Sequence, residues 1–451
     1  MKMKKKIVVF FGVIGLFVMM PFMVNAEDLT SDLTLSGNSN ACYTIKSGSN
    51  VTLNLAGYTL TNDGNCDTVK IEKGATLTIT GNGTIDNVNH GMAAVYNNGT
   101  TTIENGTITR SKADSSTNTY YAVLNHGVMT IKNASINMND TKSSLVDNGY
   151  YNFTNTSNDR LGFIDGVGQA KPTLTVENGT FTGGVAAIKN DDAGVTIINN
   201  GTFTGVVALQ NANEMTINGG TFSTNKDKKQ SKVIVNNSFP GDKDVGKLEI
   251  NGGTFNAIDS QSIFSILSEN YSSYEITINN GTFNGPIFDD ISLPDPQSKK
   301  VLIAGGTFKA STDAGNKLNE DVVENNKVQG AQKLVTDDGT VYLGYKVTVH
   351  YVDSNGKAIA DDTVNYHNAN ETYKTTPISI SGYTKTSVKG NELGKSTYDN
   401  VEVTYVYSKN TMFRESTTEN PNTLDNIGLF FVIATISLLG VGVTFNKLRK
   451  D

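Results

Sequence analysis

The chain has 451 residues, which is longer than one ordinary domain, so several parts are expected. It contains 44 glycines, 8 prolines and no tryptophan, and this composition disfavours a helical protein and favours strands joined by many turns. Without the predicted targeting segments at both ends, about 30 basic and 42 acidic residues remain. A net charge near −12 argues against nucleic acid or an anionic membrane surface as a partner.

Residues 1–26 have the pattern of a secretory signal peptide. Four lysines between positions 2 and 6 precede an apolar run over 7–20, and Val24-Asn25-Ala26 provides small residues at a cleavage site. The alternative is a retained membrane helix, although the apolar run is shorter than a bilayer span. We therefore expect the mature chain outside the cytoplasm.

The segment Val195 to Phe203 is repeated along the chain. Its Gly-Thr-Phe ending recurs with phenylalanine at Phe181, Phe203, Phe222, Phe255, Phe283 and Phe308, and weaker copies end at Ile85, Ile108 and Ile136. The glycines before these threonines are separated by about 19 to 33 residues. A helical repeat would tolerate neither this variation nor Gly and Asn at its centre, whereas a coil of strands accepts insertions in its turns.

Each repeat predicts one rung of a solenoid made of short strands. In each copy an alternating apolar run, such as Val195 and Ile197, precedes an Asn-Gly bend and then Thr-Phe. If rungs stack about 4.8 Å apart, the phenylalanines form an internal column and the strands on both sides complete a continuous core. The asparagines of the bends should form a ladder of side-chain hydrogen bonds.

These repeats resemble a right-handed parallel β-helix of the pectate-lyase-like superfamily, over residues 27–312. The resemblance implies the handedness, and it raises the question of catalysis because many members are polysaccharide lyases or hydrolases. The candidate acids, bases and metal ligands are Asp191, Asp192, Asp289, Asp290, His90 and His126. Alignment of the rungs places His126 and Asp191 in one turn that other rungs fill with unrelated residues. The sequence therefore predicts no catalytic residue, no metal and no cofactor.

Cys42 and Cys66 stand eleven residues before Leu53 and Leu77, respectively, so we expect them at equivalent positions on successive rungs. The spacing between rungs falls within the Cα separation that a disulfide accepts. The sequence predicts a Cys42–Cys66 bridge that stabilises the N-terminal rungs by roughly 3 kcal/mol. The alternative is two free buried thiols.

Insertions at one corner of the rungs are expected to project from one face of the coil. They lie over 237–246, 268–274 and 289–300, and such a face often binds ligands, although tolerated variation in loop length is the alternative. Candidate sugar- or protein-binding residues there are Tyr271, Tyr274, Phe239 and Asp242.

After the last copy the pattern changes. Residues 313–344 are expected to cap the coil and link it onward, and two alternating segments begin at Tyr345 and Val401. With Gly356, Tyr373 and Gly382-Tyr383 between them, residues 345–408 resemble the mucin-binding-protein (MucBP) repeat of bacterial surface proteins. The resemblance implies a small β-grasp-like domain that either binds mucin glycoprotein or serves as a spacer. Tyr351 and Tyr383 fit a glycan-binding platform as readily as a half-buried sheet.

A short linker, 409–420, leads to a C-terminal segment, 421–451, that resembles a sortase-type cell-wall sorting signal. The motif is Asn420-Pro421-Asn422-Thr423-Leu424, of which Pro421 and Thr423 match the family pattern while Asn420 and Leu424 depart from it. An uncharged run over 427–445 is long enough to cross a membrane and precedes a basic tail. The resemblance implies sortase and peptidoglycan as partners, whereas the alternative is a plain membrane anchor.

The sequence thus predicts an all-β, extracellular protein of a Gram-positive-type cell surface, held by the wall or the membrane. We expect an adhesin-like protein that binds glycans or mucin-type glycoproteins without catalysis. A surface polysaccharide lyase or hydrolase that uses the β-helix groove, or a purely structural stalk, remains the alternative.

Overall fold

The structure is a computed structural model that describes residues 26–139, 142–150, 171–225, 232–236, 246–257, 262–265, 274–288 and 300–410. The predicted signal peptide and the sorting segment lie outside these ranges, apart from Ala26. Over most of the described length, the chain repeats a circuit of three short strands, and each strand joins one of three sheets. Within a sheet, consecutive circuits pair in parallel.

The first sheet, sheet A, has strands at Ala26–Leu29, Cys42–Ile45, Val69–Ile71, Val95–Asn97, Val123–Asn125, Val146–Asn148, Ala186–Asn190, Val207–Asn211, Ile234–Asn236 and Phe264–Ser265. Sheet B has strands at Leu33–Thr34, Asn50–Asn54, Thr76–Thr80, Thr100–Ile103, Val128–Ile131, Thr173–Val176, Val195–Ile198, Glu214–Ile217, Gly246–Ile250, Tyr274–Ile278 and Val301–Ile303. The solenoid part of sheet C has strands at Ser39–Asn40, Thr59–Asn62, Thr84–Asn87, Thr107–Arg110, Ala134–Met138, Gly179–Gly183, Thr202–Gly205, Thr221–Thr224, Thr254–Asn256, Thr282–Asn284 and Gly306–Lys309. The predicted parallel β-helix is therefore confirmed.

The phenylalanine column is confirmed in sheet C. Phe181, Phe203, Phe222, Phe255, Phe283 and Phe308 follow one another in register, and each is 0% exposed. Successive ring centroids lie 4.7 to 4.9 Å apart with nearly parallel rings. The same register position holds Ile85, Ile108 and Ile136 in the earlier rungs. Every copy therefore contributes the last apolar residue of its motif to one column.

The sequence predicts that Val195 and Ile197 of the Val195–Ile198 strand face the core, and this prediction is wrong by one residue. Val195 and Ile197 face outward and are half-buried, whereas Thr196 and Ile198 point into the core and are both 0% exposed. Thr196 is tolerated there because its hydroxyl donates a hydrogen bond to the side-chain oxygen of Asn190. Since successive side chains of a strand alternate between faces, this one-residue shift reverses the assignment of the whole strand.

A disulfide joins Cys42 and Cys66, with their Cα atoms 6.5 Å apart. The two cysteines are not at equivalent positions, however, because Tyr43 pairs with Val69 and the register partner of Cys42 is thus Thr68. Leu53 pairs with Ile79, and not with Leu77 as the sequence alignment assumed. The bridge is therefore diagonal, with a Cα separation longer than the spacing between strands.

The C-terminal end of the solenoid is covered by a helix, Asp313–Asn326, which the sequence did not predict. Thr312 caps it by accepting a hydrogen bond from the Gly315 amide. The helix buries Val322 and Val323 in the solenoid core. Its Asn319 side chain accepts from the Ile287 amide and donates to the Gly285 carbonyl, so the helix also satisfies backbone groups of the last rungs.

The small C-terminal domain follows this cap directly, because one strand belongs to both. One strand, Val341–Asp353, pairs antiparallel with Gly306–Phe308 of the last rung and with Lys333–Val335. Further along, the same strand lies between Thr363–Asn368, antiparallel, and Val401–Lys409, parallel. Strand Tyr383–Lys389 pairs with Val401–Lys409, and a separate ribbon is formed by Thr372–Lys374 and Leu393–Lys395. The boundary expected at residue 345 therefore falls inside a strand.

Candidate functional site

None of the binding residues predicted in the solenoid lies on the surface of the described part of the chain. Phe239, Asp242 and Tyr271 lie outside the described residues. Tyr274, which was expected to project from an insertion, begins a strand of sheet B and is 1% exposed. Lys300 Nζ lies 4.8 Å from the centroid of its ring. The proposed surface role of Tyr274 is therefore corrected to a role in the core.

The tyrosines of the small domain form most of its core. Tyr351 is 2% exposed, its hydroxyl lies 3.0 Å from the Thr363 hydroxyl, and its ring stacks on Tyr405. Tyr383 is half-buried and packs against the same cluster. The ring of Tyr351 therefore belongs to the core of the domain and not to a glycan-binding platform. Tyr383 presents only part of its ring to solvent.

The small domain is held on the last rung by side-chain contacts as well as by the shared strand. The Tyr398 hydroxyl donates to the Ala304 carbonyl at 2.7 Å, and its ring packs against the solenoid core. Thr307 of the last rung donates to Asn368 at 3.2 Å. These contacts fix the orientation of the domain relative to the solenoid.

A buried asparagine ladder follows the corner between sheets A and B. Each amide nitrogen donates to the side-chain oxygen of the next rung at 2.6 to 2.9 Å, and all the members are 0% exposed. The members are Asn97, Asn125, Asn148, Asn190, Asn211 and Asn236. The bend ladder predicted from the sequence is also present, on the opposite edge of sheet B, where it is exposed and joins Asn199, Asn218, Asn251 and Asn279.

Charged side chains cluster beside the buried ladder. Asp147 and Lys189 are register neighbours on the outer face of sheet A, and Lys189 forms an ion pair with Asp191. Asp147, Asp191 and Asp192 are 1%, 0% and 3% exposed. The turn that was expected to contain only filler residues therefore contains a compact electrostatic cluster, which the sequence-based reasoning missed by omitting the Val146–Asn148 rung.

Burial dominates the ionisation of this cluster. It raises the pKa of the Asp147 carboxyl to about 8, an effect that Lys189 opposes and Asp191 reinforces. Burial also acts to lower the pKa of Lys189, but the surrounding carboxylates outweigh it and raise that pKa. Three carboxyl groups around one lysine cannot all ionise cheaply, and burial favours the protonated form of Asp147.

A groove of about 510 Å³ opens at the same corner, across four rungs. Its lower wall contains Lys70, Glu72 and Lys73, its middle is lined by Asn98, Thr100 and Val128, and its upper wall is formed by His126 and Tyr150. The imidazole and the Tyr150 ring stack with centroids 4.3 Å apart, and the Tyr96 hydroxyl lies 3.3 Å from His126 Nδ1. His90, the other histidine considered for catalysis, accepts a hydrogen bond from the Thr119 amide.

Two kinds of feature are absent from the described ranges. There, no group of three or more His, Cys, Asp or Glu side chains is arranged to hold a metal ion. In the same part of the chain, no helix is both long and apolar enough to span a membrane. The span predicted over 427–445, like Asp289 and Asp290, lies outside the described residues.

Comparison with known proteins identifies one domain. Residues 346–408 match the model of the MucBP domain. Over 128 residues, or 28% of this chain, the sequence is 33% identical to internalin J of Listeria monocytogenes serovar 1/2a. It is 31% identical over 128 residues to internalin J of serotype 4b. The matched segments cover 15% and 14% of those proteins, so this chain is similar to a small part of each relative.

Proposed function

We propose that the chain is a cell-surface, cell-wall-anchored adhesin-like protein that binds glycans or mucin-type glycoproteins without reacting with them. The observation that carries the proposal is the MucBP domain at 346–408. The similarity to internalin J supports a bacterial surface protein of adhesin type. The shared strand Val341–Asp353 supports it further, because a fixed domain loses less conformational entropy when it binds a ligand.

The binding role is proposed without catalysis. The paired acids Asp191 and Asp192 are almost fully buried, and Asp191 is paired with Lys189. A general acid or base must come within hydrogen-bond distance of the bond that it cleaves, and a polymer could not approach these carboxyls from solvent. Their burial supports a structural role in the corner of the solenoid.

Anchoring to the wall is part of the proposal and rests on the sequence of 420–451. If Thr423 is joined to peptidoglycan, digestion of the wall with a muralytic enzyme should release the protein, and detergent alone should leave it behind. Release by detergent from intact walls would replace the covalent anchor with a membrane anchor.

The proposal is tested by measuring binding and cleavage together. Residues 27–410 are incubated with mucins and acidic polysaccharides, and retention on the polymer is recorded alongside new reducing or unsaturated ends. We expect retention without new ends. A matched variant that lacks 345–410 keeps Val341–Leu343 on the last rung, and it should lose the share of retention that the MucBP domain provides. New chain ends would refute the non-catalytic role, and the absence of any retention would favour a structural stalk.

A further inference from the structure

The groove at the corner of sheets A and B has the dimensions of a small-molecule site. Its volume of about 510 Å³ lies within the range of ordinary ligand pockets and is sufficient for one or two sugar rings. It is made by the short corners of successive rungs, so its shape is set by the pairing of rigid strands. A site built on such a framework is preformed.

The charge of the groove differs from that of the chain as a whole. Lys70 and Lys73 line it, and across the described ranges neither forms an ion pair within 4 Å. Glu72, the acid on the same wall, is paired with Lys46 at 2.6 Å, and that hydrogen bond lowers the pKa of its carboxyl. The negative charge of Glu72 is thereby compensated from outside the groove. Two lysines therefore line the cavity of an otherwise acidic protein, and the Lys70 ammonium also lies 5.8 Å from the centroid of the Tyr96 ring.

The remaining walls are suited to a sugar ring. Val128, 42% exposed, forms an apolar rim, and the stacked rings of His126 and Tyr150, which are 6% and 4% exposed, close one end of the groove. Asn98 and Thr100 place an amide and a hydroxyl on the floor between this wall and the lysines. A pyranose has apolar faces, hydroxyl edges and, in acidic sugars, one carboxylate, which matches this distribution of apolar, polar and cationic groups.

We propose that this groove is a binding subsite for an acidic saccharide, with Lys73 and Lys70 receiving its carboxylate. The inference rests on the proposed function, because it names the class of glycan that the solenoid would hold in addition to any bound by the small domain. A second groove, of about 280 Å³ on sheet B, provides an internal comparison. It is lined by Lys247 with Glu214, Glu249 and Glu275, an arrangement that would repel a carboxylate.

The test measures binding of sialyllactose and of lactose to the full chain, purified in mild detergent. The two probes differ by one acidic sugar. We expect sialyllactose to bind about tenfold more tightly than lactose, as expected for one charge-assisted hydrogen bond of ordinary strength. Lys73→Ala should remove this preference, and Val128→Trp, which fills the rim, should weaken both probes. The preference should also decline as the salt concentration rises, because exposed charges are screened.

The matched control is Lys247→Ala, which removes one exposed lysine from the second groove and should change neither affinity. A thermal midpoint equal to that of the unaltered chain shows that each variant is folded. Equal affinity for the two probes, or a preference that survives both groove variants, would overturn the inference. Retention on mucin that survives Lys73→Ala and Val128→Trp leaves the proposed function standing without this subsite. If the chain binds sialyllactose but is not retained on mucin, the subsite stands and the proposed function fails.

Discussion

At the scale of single residues, the phenylalanine column shows how one side chain stabilises two neighbouring rungs. Phe222 is 0% exposed, and its ring centroid lies 4.9 Å from that of Phe203 and 4.8 Å from that of Phe255. Phe222→Ala should lower the free energy of unfolding by roughly 3 to 5 kcal/mol, because it removes buried apolar area and leaves a cavity between two rings. Urea denaturation followed by circular dichroism measures the change.

The control for this variant is Leu302→Ala, on the outer face of sheet B and 40% exposed, which should cost less than about 1 kcal/mol. Similar losses in the two variants would show that the column does not dominate the stability of the core.

A second residue-scale prediction concerns Asp147. Burial raises the pKa of its carboxyl to about 8, whereas an unfolded aspartate ionises near pH 4. Between about pH 4 and pH 8, Asp147 therefore binds more protons in the folded chain than in the unfolded chain. The contribution of Asp147 to stability is fully present below pH 4 and is lost as the pH rises towards 8.

Asp147→Asn removes this titration, and the amide can still form hydrogen bonds in its place. The difference in unfolding free energy between the variant and the original chain should therefore shift in favour of the variant as the pH rises from 4 to 8. Urea titrations at several pH values measure the difference, and a difference that is constant with pH would show that Asp147 is not the protonated member of the cluster.

At the scale of structural elements, the two asparagine ladders differ in what surrounds them. Asn190 accepts from Asn148 at 2.9 Å and donates to Asn211 at 2.8 Å, all inside the protein. Asn190→Ala leaves both neighbours without these partners in a place that water does not reach, and should cost about 3 kcal/mol. The matched variant Asn251→Ala interrupts the exposed ladder, where water replaces the lost bonds, and should cost less than about 1 kcal/mol. Equal losses in urea denaturation would show that burial does not distinguish the ladders.

The register of sheet C could be predicted because Gly-Thr-Phe marks one position in every copy. Sheet B carries no such marker. Its strands alternate over five or more residues around Leu53, so a slip of two residues preserves the inward and outward faces and cannot be detected from the sequence. That slip is why Cys42 and Cys66 were placed at equivalent positions, although their bridge is diagonal.

The candidate site was predicted less well than the fold. Tyr274 is in phase with Ile276 and Ile278, a signal that would have placed its ring in the core. The buried ladder was also visible, as an asparagine two residues after Val95, Val123 and Val146. The groove could not be predicted, because its lining comes from four rungs whose relative positions depend on register and not on sequence distance.

At the scale of the whole molecule, the solenoid and the MucBP domain should lose structure together. Strand Val341–Asp353 belongs to both, and the Tyr398 hydroxyl donates to the Ala304 carbonyl across the junction. Tyr398→Ala removes that bond and the packing of the ring, so local opening should become easier on both sides. We expect amide hydrogen exchange to accelerate by about tenfold in Val301–Ile303 and in Val401–Lys409, as expected for a loss of roughly 1.4 kcal/mol. The matched control Tyr58→Ala, on an exposed tyrosine of the N-terminal rungs, should change neither segment. Faster exchange in Val401–Lys409 alone would mean that the domain opens independently and that the shared strand acts only as a tether.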